Sequence, residues 1–319
     1  MTNISEELKM IFGVRLYENE PLAKHTNFRV GGAAKWFCEV DTVTELQRAL
    51  GVLAGQVAFM ILGSGSNVLF GDDGFPGVVF KITMNGIKIE GKKVVADAGV
   101  LAVILARTTV GAGLSGLEWA VSLPGTVGGM VRGNAGCFGG ETKDNLVSIE
   151  VLRNGVVVTV SGADLKFGYR HSIIKESRDI VLSATFKLRL EDKEVLKKQL
   201  NEILEKRKSS QPLASGTAGC TFKNYELTSS DNVRSLHERG VPAEMLSARR
   251  LSAGWLIDAA GLKRRKIGGA RVSESHANFI INDGTATASD IVQLISFIKT
   301  RVRDMFDIQL HEEIQLIEI

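Results

Sequence analysis

The stretch SLPGTVGGMVRGNAGCFGGE, Ser122 to Glu141, decides how this chain is read. It places glycine at 125, 128, 129, 133, 136, 139 and 140 in an otherwise ordinary sequence. Glycine loses more conformational freedom on folding than any other residue, so such density implies positive φ or a close approach to the main chain. Two answers fit: a flat ring system lying against the backbone, or a tightly turned β-structure. A second glycine loop, ILGSGSNVLFGDDGFPG from Ile61 to Gly77, directly follows an apolar run. Its amides, with Ser64, Ser66 and Asn67, suit phosphate oxygens, and a structural turn suits them equally well. It is not the Rossmann fingerprint, because GxGxxG fails at the third glycine and no helical pattern follows at once. It also lacks the Gly-Lys-Ser/Thr ending of a P-loop.

The composition narrows the field. The 319 residues suffice for one large domain or for two or three, with 44% hydrophobic and 24% charged residues as in ordinary globular chains. A net charge of +3 is too small for a general nucleic-acid binder and leaves room for a local positive field around an anionic ligand. Cys38, Cys137 and Cys220 are widely spaced, with no CxxC pair, so neither a disulfide framework nor a metal centre is expected. The start MTNISEELKM is unlike a secretory signal, and runs such as LAVILA fall well short of a membrane span. The expected location is the cytoplasm.

Periodicity gives a mixed α/β chain. KWFCEV reads as a strand, followed by the helical DTVTELQRALGVLA with Thr42 and Glu45 in capping-box spacing. VAFMILG reads as a buried strand. Up to about Leu190, short β runs (GVVFKI, KKVVADAGV, VVVTV, IVLSATFKLRL) alternate with glycine turns and one helix, LAVILARTTVGAG. EDKEVLKKQLNEILEKRKSS forms a charged helix with one stripe of Leu196, Leu200, Ile203 and Leu204. Beyond a boundary placed near Lys206 to Leu213, SAGWLIDAAG and SDIVQLISFIKTRVRDMF are amphipathic helices. The second aligns Ile291, Leu294, Ile295, Ile298, Val302 and Met305. HANFIIN and IQLHEEIQLIEI read as strands. In the latter, Ile308, Leu310, Ile314 and Leu316 share one face and Glu313 lies with Gln309, His311 and Gln315 on the other.

The two glycine loops, in this order and spacing, resemble the flavin-binding half of the UDP-N-acetylenolpyruvoylglucosamine reductase (MurB) family. TNFRVGGAA precedes them; YRHSIIK, AGCTFKN, AGWLIDAAGLK, IGGARVSESHANFIIN and LHEEIQLI follow in the family's order, from about Thr26 to Ile317. The resemblance implies an α+β fold: a two-subdomain FAD-binding domain of the PCMH/vanillyl-alcohol-oxidase type over 1–205, split near 60, then a C-terminal α/β substrate domain over 206–319. It also implies non-covalent FAD and NADPH as co-substrate, with reduction of UDP-N-acetylglucosamine enolpyruvate to UDP-N-acetylmuramate for peptidoglycan. Expected partners are the UDP-sugar alone, with no nucleic acid, membrane or obligate protein partner. The implied flavin residues are Leu62, Gly63, Ser64, Gly65, Ser66 and Asn67 in the first loop. In the second they are Pro124, Gly125, Thr126, Gly128, Gly129, Asn134, Ala135 and Gly136.

Three residues match catalytic positions of the family. Arg170 offers paired planar donors for a carboxylate, although an arginine beside Tyr169 also reads as a surface ion pair. Glu313 matches the family's glutamate, on a face that is solvent by default. Cys220 stands where most members carry the proton-donating serine; a thiol, with an ordinary pKa of about 8.5, is intrinsically the stronger acid. Without the match, Cys220 reads as a small buried hydrophobe. Tyr169, Lys223, Asn224 and His276 match substrate contacts, with a structural role open for His276. Cys38 and Cys137 read as packing residues. The basic run LKRRK, Leu262 to Lys266, reads as a solvated turn or as an attractor for a diphosphate. The segment from Glu226 to Leu251 is longer than in compact members and has no assigned role. No room for a tyrosine-bearing flap lies between Ile174 and Gln211, as in the flapless subgroup.

Three other readings compete. A flavin oxidase of an alcohol or sugar shares the fold, but its usual covalent histidine or cysteine has no counterpart in the first loop. A thiol hydrolase built on Cys220 with His237 or His276 leaves the glycine loops unexplained. A non-catalytic nucleotide-binding module leaves Arg170, Cys220 and Glu313 unexplained.

Overall fold

Thr42 accepts from the Glu45 amide while the Glu45 carboxylate accepts from the Thr42 amide, so the helix Val43–Leu53 starts where the sequence sets its capping box. Such a cap contributes about 1 kcal/mol, and the helix's buried face of Leu46, Ala49 and Leu53 contributes more. In the computed structural model, residues 4–210 and 216–318 are described; part of the expected boundary stretch, 211–213, lies outside the described residues.

Contacts divide the chain into two units. The first comprises Met1–Glu20, Ala34–Gly65 and Phe75–Ser209; the second comprises Pro21–Ala33, Ser66–Gly74 and Ser210–Ile319. From the sequence, 21–33 and 66–74 are expected in the N-terminal domain. They join the second unit because their backbone is paired there. Val68–Phe70 runs parallel to Gln315–Ile317, and the Asn282 amide donates to Phe28 O at 2.9 Å.

Within the first unit, one sheet orders Leu16–Pro21, Ala33–Val40, Phe75–Ile82 and Phe59–Leu62, the last three mutually parallel. Phe59–Leu62 is an edge strand, so Phe59 is 41% exposed where the apolar run predicted burial. The second sheet is antiparallel, in the order Val156–Ser161, Leu146–Arg153, Ile180–Lys187, Lys93–Asp97 and Ile87–Glu90. One continuous core joins both sheets, the helix Ala102–Gly111, and Leu196 and Leu200 of the helix Lys193–Ser210. Cys38 lies inside it, and burial pushes its thiol up to about 12, as a packing residue requires.

The second unit packs the helices Ala253–Ala259 and Ala288–Phe306 with an antiparallel sheet of Lys266–Ile267, Ala270–Val272 and Ile280–Asn282. Five of the six expected stripe residues are buried; Met305 is 45% exposed and Phe306 replaces it at 1%. Phe306 continues the i, i+4 ladder from Val302, after which Asp307 ends the helix at φ 58. HANFIIN is strand only over Ile280–Asn282, and a turn closed by Phe279 N donating to His276 O precedes it. The C-terminal strand is likewise only Gln315–Ile317; Ile308, Leu310 and Ile314 are buried, but Leu316 is 38% exposed at the uncovered face of a two-stranded pair. The segment of unassigned role folds as the pair Tyr225–Glu226 with Arg250–Leu251, enclosing the short helices Val233–Glu238 and Ala243–Ser247.

Candidate active site

In the first unit, the glycine-dense stretch is half helix and half tight β-structure. Val127–Gly133 forms a helix that ends at Asn134, φ 40, and Gly136–Cys137 then pairs antiparallel with Gly140–Glu141. Part of the glycine requirement is met by the protein itself, since a Cβ on Gly140 would lie inside the Trp119 indole. The tightly turned β-structure and the close approach that such density implies are therefore both present at the end of this stretch.

The two glycine loops touch. Ser64 Oγ donates to Pro124 O at 2.8 Å, and a Cβ at Gly63 would stand 2.5 Å from Thr126 Oγ1. The first turn, Leu62 to Gly65, therefore lies against the approach to the helix at Pro124–Thr126, and Gly63 has no substitute there. Backbone bonds hold the second loop rigid: Ala102 N donates to Gly125 O at 2.9 Å and Val127 N to Val100 O at 2.8 Å.

Asn134 is a hub. Fully buried, it donates through Nδ2 to Glu141 and to Gly168 O, at 2.7 and 3.0 Å, and accepts from Lys143 N at 3.1 Å. Its side chain is thus committed to protein partners, and the backbone here is bonded too: Ala135 N donates to Met130 O and Ala135 O accepts from Thr142 N, both at 2.9 Å. Through Gly168, Asn134 reaches the turn that carries Tyr169 and Arg170. Gly168 and His171 exchange backbone bonds at 3.0 and 3.2 Å, so Tyr169 and Arg170 form a two-residue loop, with Arg170 at φ 54. The Arg170 guanidinium lies over the Tyr169 ring, 5.4 Å from its centroid. Cys137, half-buried, donates to Trp119 O; burial raises its thiol pKa against the pull of Arg207 and Arg170.

In the second unit, Cys220 and Glu313 are brought together by the main chain. Glu313 N donates to Thr221 O at 2.8 Å and Lys223 N to His311 O at 2.9 Å, around the bridge Phe222–Glu312. On the other side Cys220 bridges Phe279, and Thr221 N donates to Asn278 O. The buried Asn278 amide brackets Phe222, accepting from its N at 2.9 Å and donating to its O at 2.8 Å. In the sequence, Asn278 shows only as a polar residue inside the apolar run ANFII. Asn224 Oδ1 accepts from Ala253 N at 3.1 Å and so tethers Asn224 to the start of a helix. His276 accepts at Nδ1 from Asn278 N and packs on Phe279; burial, with Lys263, lowers its pKa. Asn67 of the first glycine loop donates to Glu313 O at 3.0 Å and accepts from Gln315 N at 3.0 Å.

The LKRRK turn is largely neutralised. Lys263 pairs with Asp258, Arg264 with Glu274 and Lys266 with Asp283, while Arg265 lies over Phe297. Among the described residues, no group of three or more His, Cys, Asp or Glu is arranged to hold a metal ion. Nor is any described helix long and apolar enough to cross a membrane.

Comparison with known proteins agrees with this arrangement. Residues 34–161 match an FAD binding domain, and residues 211–317 match the C-terminal domain of UDP-N-acetylenolpyruvoylglucosamine reductase. The reductase of Carboxydothermus hydrogenoformans is 38% identical over 319 residues, 98% of each chain. That of Caldanaerobacter subterraneus subsp. tengcongensis is 37% identical over 306 residues, 95% of this chain and 94% of its own. This chain belongs to the UDP-N-acetylenolpyruvoylglucosamine reductase family. The crystal structure of the Thermus caldophilus member superimposes with a TM-score of 0.75 at 32% identity, covering 95% of this chain and 98% of that one. The family fold is therefore the fold of this chain, and the touching glycine loops lie inside or beside the stretch matched as FAD-binding.

Proposed function

We propose that this protein reduces the double bond of UDP-N-acetylglucosamine enolpyruvate, giving UDP-N-acetylmuramate for peptidoglycan synthesis in the cytoplasm, with NADPH as reductant. One observation carries the reading: the Ser64–Pro124 bond joins two glycine loops in a chain that aligns with the reductases over nearly its whole length. FAD, when bound, supplies the hydride chemistry. The residues to hold it are Leu62 to Asn67, Pro124 to Thr126, Gly128, Gly129 and Asn134 to Gly136.

The remaining chemistry falls to side chains. Hydride addition to the terminal alkene carbon leaves negative charge that spreads into the neighbouring carboxylate. Arg170 meets that charge with paired donors, and a preorganised cation is most effective where charge develops. Cys220 delivers the proton that completes the adjacent carbon, its thiol replacing the serine of most relatives. Glu313, fastened through its backbone to Thr221 and Asn67, orients the reacting group. Tyr169, Lys223, Asn224 and His276 bind the remainder of the UDP-sugar.

Anaerobic half-reactions test this. The purified protein should carry flavin that acid releases, NADPH should bleach it, and the enolpyruvyl sugar should restore its colour in one turnover. Reoxidation by oxygen with an alcohol or sugar as reductant, and none by the enolpyruvyl sugar, would establish the oxidase reading instead.

A further inference from the structure

Arg170 occupies a backbone conformation that its side chain does not favour. At φ 54 it stands in the left-handed region as the second residue of the Gly168–His171 loop, a position where turns with one positive φ prefer glycine or asparagine. For a residue with a Cβ this conformation persists only when its surroundings hold it there. The structure shows what holds it. Lys175 Nζ donates to Arg170 O at 2.8 Å, closing a ring of the six residues Arg170 to Lys175 behind the arginine. The same segment is pinned to the glycine-dense stretch by two bonds. Asn134 Nδ2 donates to Gly168 O, and Ser172 Oγ donates to Arg132 O at 2.8 Å. Ile173–Lys175 is a single 3-10 turn starting at the buried Ser172, with Lys175 N donating to Ser172 O at 3.0 Å, so Lys175 approaches Arg170 from a fixed base.

We propose that Lys175 is a positioning residue for Arg170: its ammonium fixes the Arg170 carbonyl, and with it the left-handed turn that aims the guanidinium. This rests on the reading that Arg170 serves the substrate carboxylate. An ammonium suits the task better than a neutral donor. Its bond to a carbonyl is charge-assisted, and it adds a second positive charge beside a guanidinium that receives an anion. Without that bond the loop relaxes from its unfavoured φ and the guanidinium leaves its productive geometry, while the Asn134 and Ser172 ties keep the segment on the protein.

The test is a double-mutant cycle on the flavin-loaded enzyme, reading the rate at which prereduced flavin is reoxidised by UDP-N-acetylglucosamine enolpyruvate. Lys175→Met, matched in length but without the donor, should slow reoxidation ~10-fold with flavin content and reduction by NADPH unchanged. Lys175→Arg should restore most of the rate. In an Arg170→Ala background, Lys175→Met should cost nothing further, because it acts through the arginine. Losses that multiply would overturn the proposal, since Lys175 would then act on substrate by itself. A wild-type rate in Lys175→Met, with Arg170→Ala slow, overturns it too while sparing the reading of Arg170. A wild-type rate in Arg170→Ala removes that reading instead. If Lys175→Met loses flavin, Lys175→Leu, which also lacks the donor, takes its place in the same cycle with the same expected outcomes.

Discussion

Glu313 N donates to Thr221 O at 2.8 Å, so the residue after Cys220 is bonded directly to the glutamate proposed to orient the reacting group. With the Phe222–Glu312 bridge on one side and the Cys220–Phe279 bridge on the other, the backbone at Cys220 is fixed from two directions. A change at its Sγ should therefore leave the main chain where it is.

Cys220→Ser should keep substantial turnover, because a hydroxyl at the same place can also donate the proton. Cys220→Ala should keep its flavin and its reduction by NADPH but reoxidise slowly with the enolpyruvyl sugar. Peroxide should inactivate the wild type and spare the serine variant, since only the thiol climbs the oxidation ladder. Reoxidation of the alanine variant at the wild-type rate would show the thiol to be mere packing.

Arg170→Ala and Glu313→Ala should separate the half-reactions. Each should leave flavin reduction nearly intact and slow reoxidation by ~10²-fold or more, the loss expected when one stabilising contact to developing charge is removed. Stopped-flow traces of both half-reactions provide the measurement. Equal loss in the two would place these residues on the flavin or in the fold rather than on the substrate.

Asp72, in the first glycine loop, accepts from Ala288 N at 2.7 Å and from Ser289 N at 3.0 Å, at the start of the helix Ala288–Phe306. Two charge-assisted bonds at a helix N-terminus, added to the Thr287–Asp290 capping box, predict a loss of about 1–2 kcal/mol for Asp72→Ala. The urea midpoint should fall with the slope unchanged. A midpoint equal to wild type would mean that water serves those amides as well as the carboxylate does.

His276 gives a pH signature. Burial, helped by Lys263, holds its pKa below the ordinary 6.5. The unfolded chain therefore takes up this proton first as pH falls. The stability linked to this residue is complete above about pH 6.5 and declines as pH drops through that value toward the folded pKa, because the stability slope follows the excess of protons on the unfolded state. His276→Gln, neutral throughout, should show a flatter urea midpoint between pH 7 and the folded pKa. An unchanged profile would mean the ring is solvated enough to charge freely in the folded state.

Local chemistry was legible in the sequence. The capping box at Thr42 and Glu45, the stripe from Ile291 to Val302 and the two glycine loops each depend on residues within a few positions of one another, where spacing alone sets the geometry. What only tertiary structure decided is which distant segments share backbone bonds. Val68–Phe70 pairs with Gln315–Ile317, Asn282 reaches Phe28, and Glu313 binds the residue after Cys220, so the short segments Pro21–Ala33 and Ser66–Gly74 belong with the C-terminal half. No periodicity encodes these pairings, because a peptide N–H or C=O is the same in every residue and any strand edge can accept any other. The partner is chosen by the core that closes around it, and that core exists only once the chain has folded.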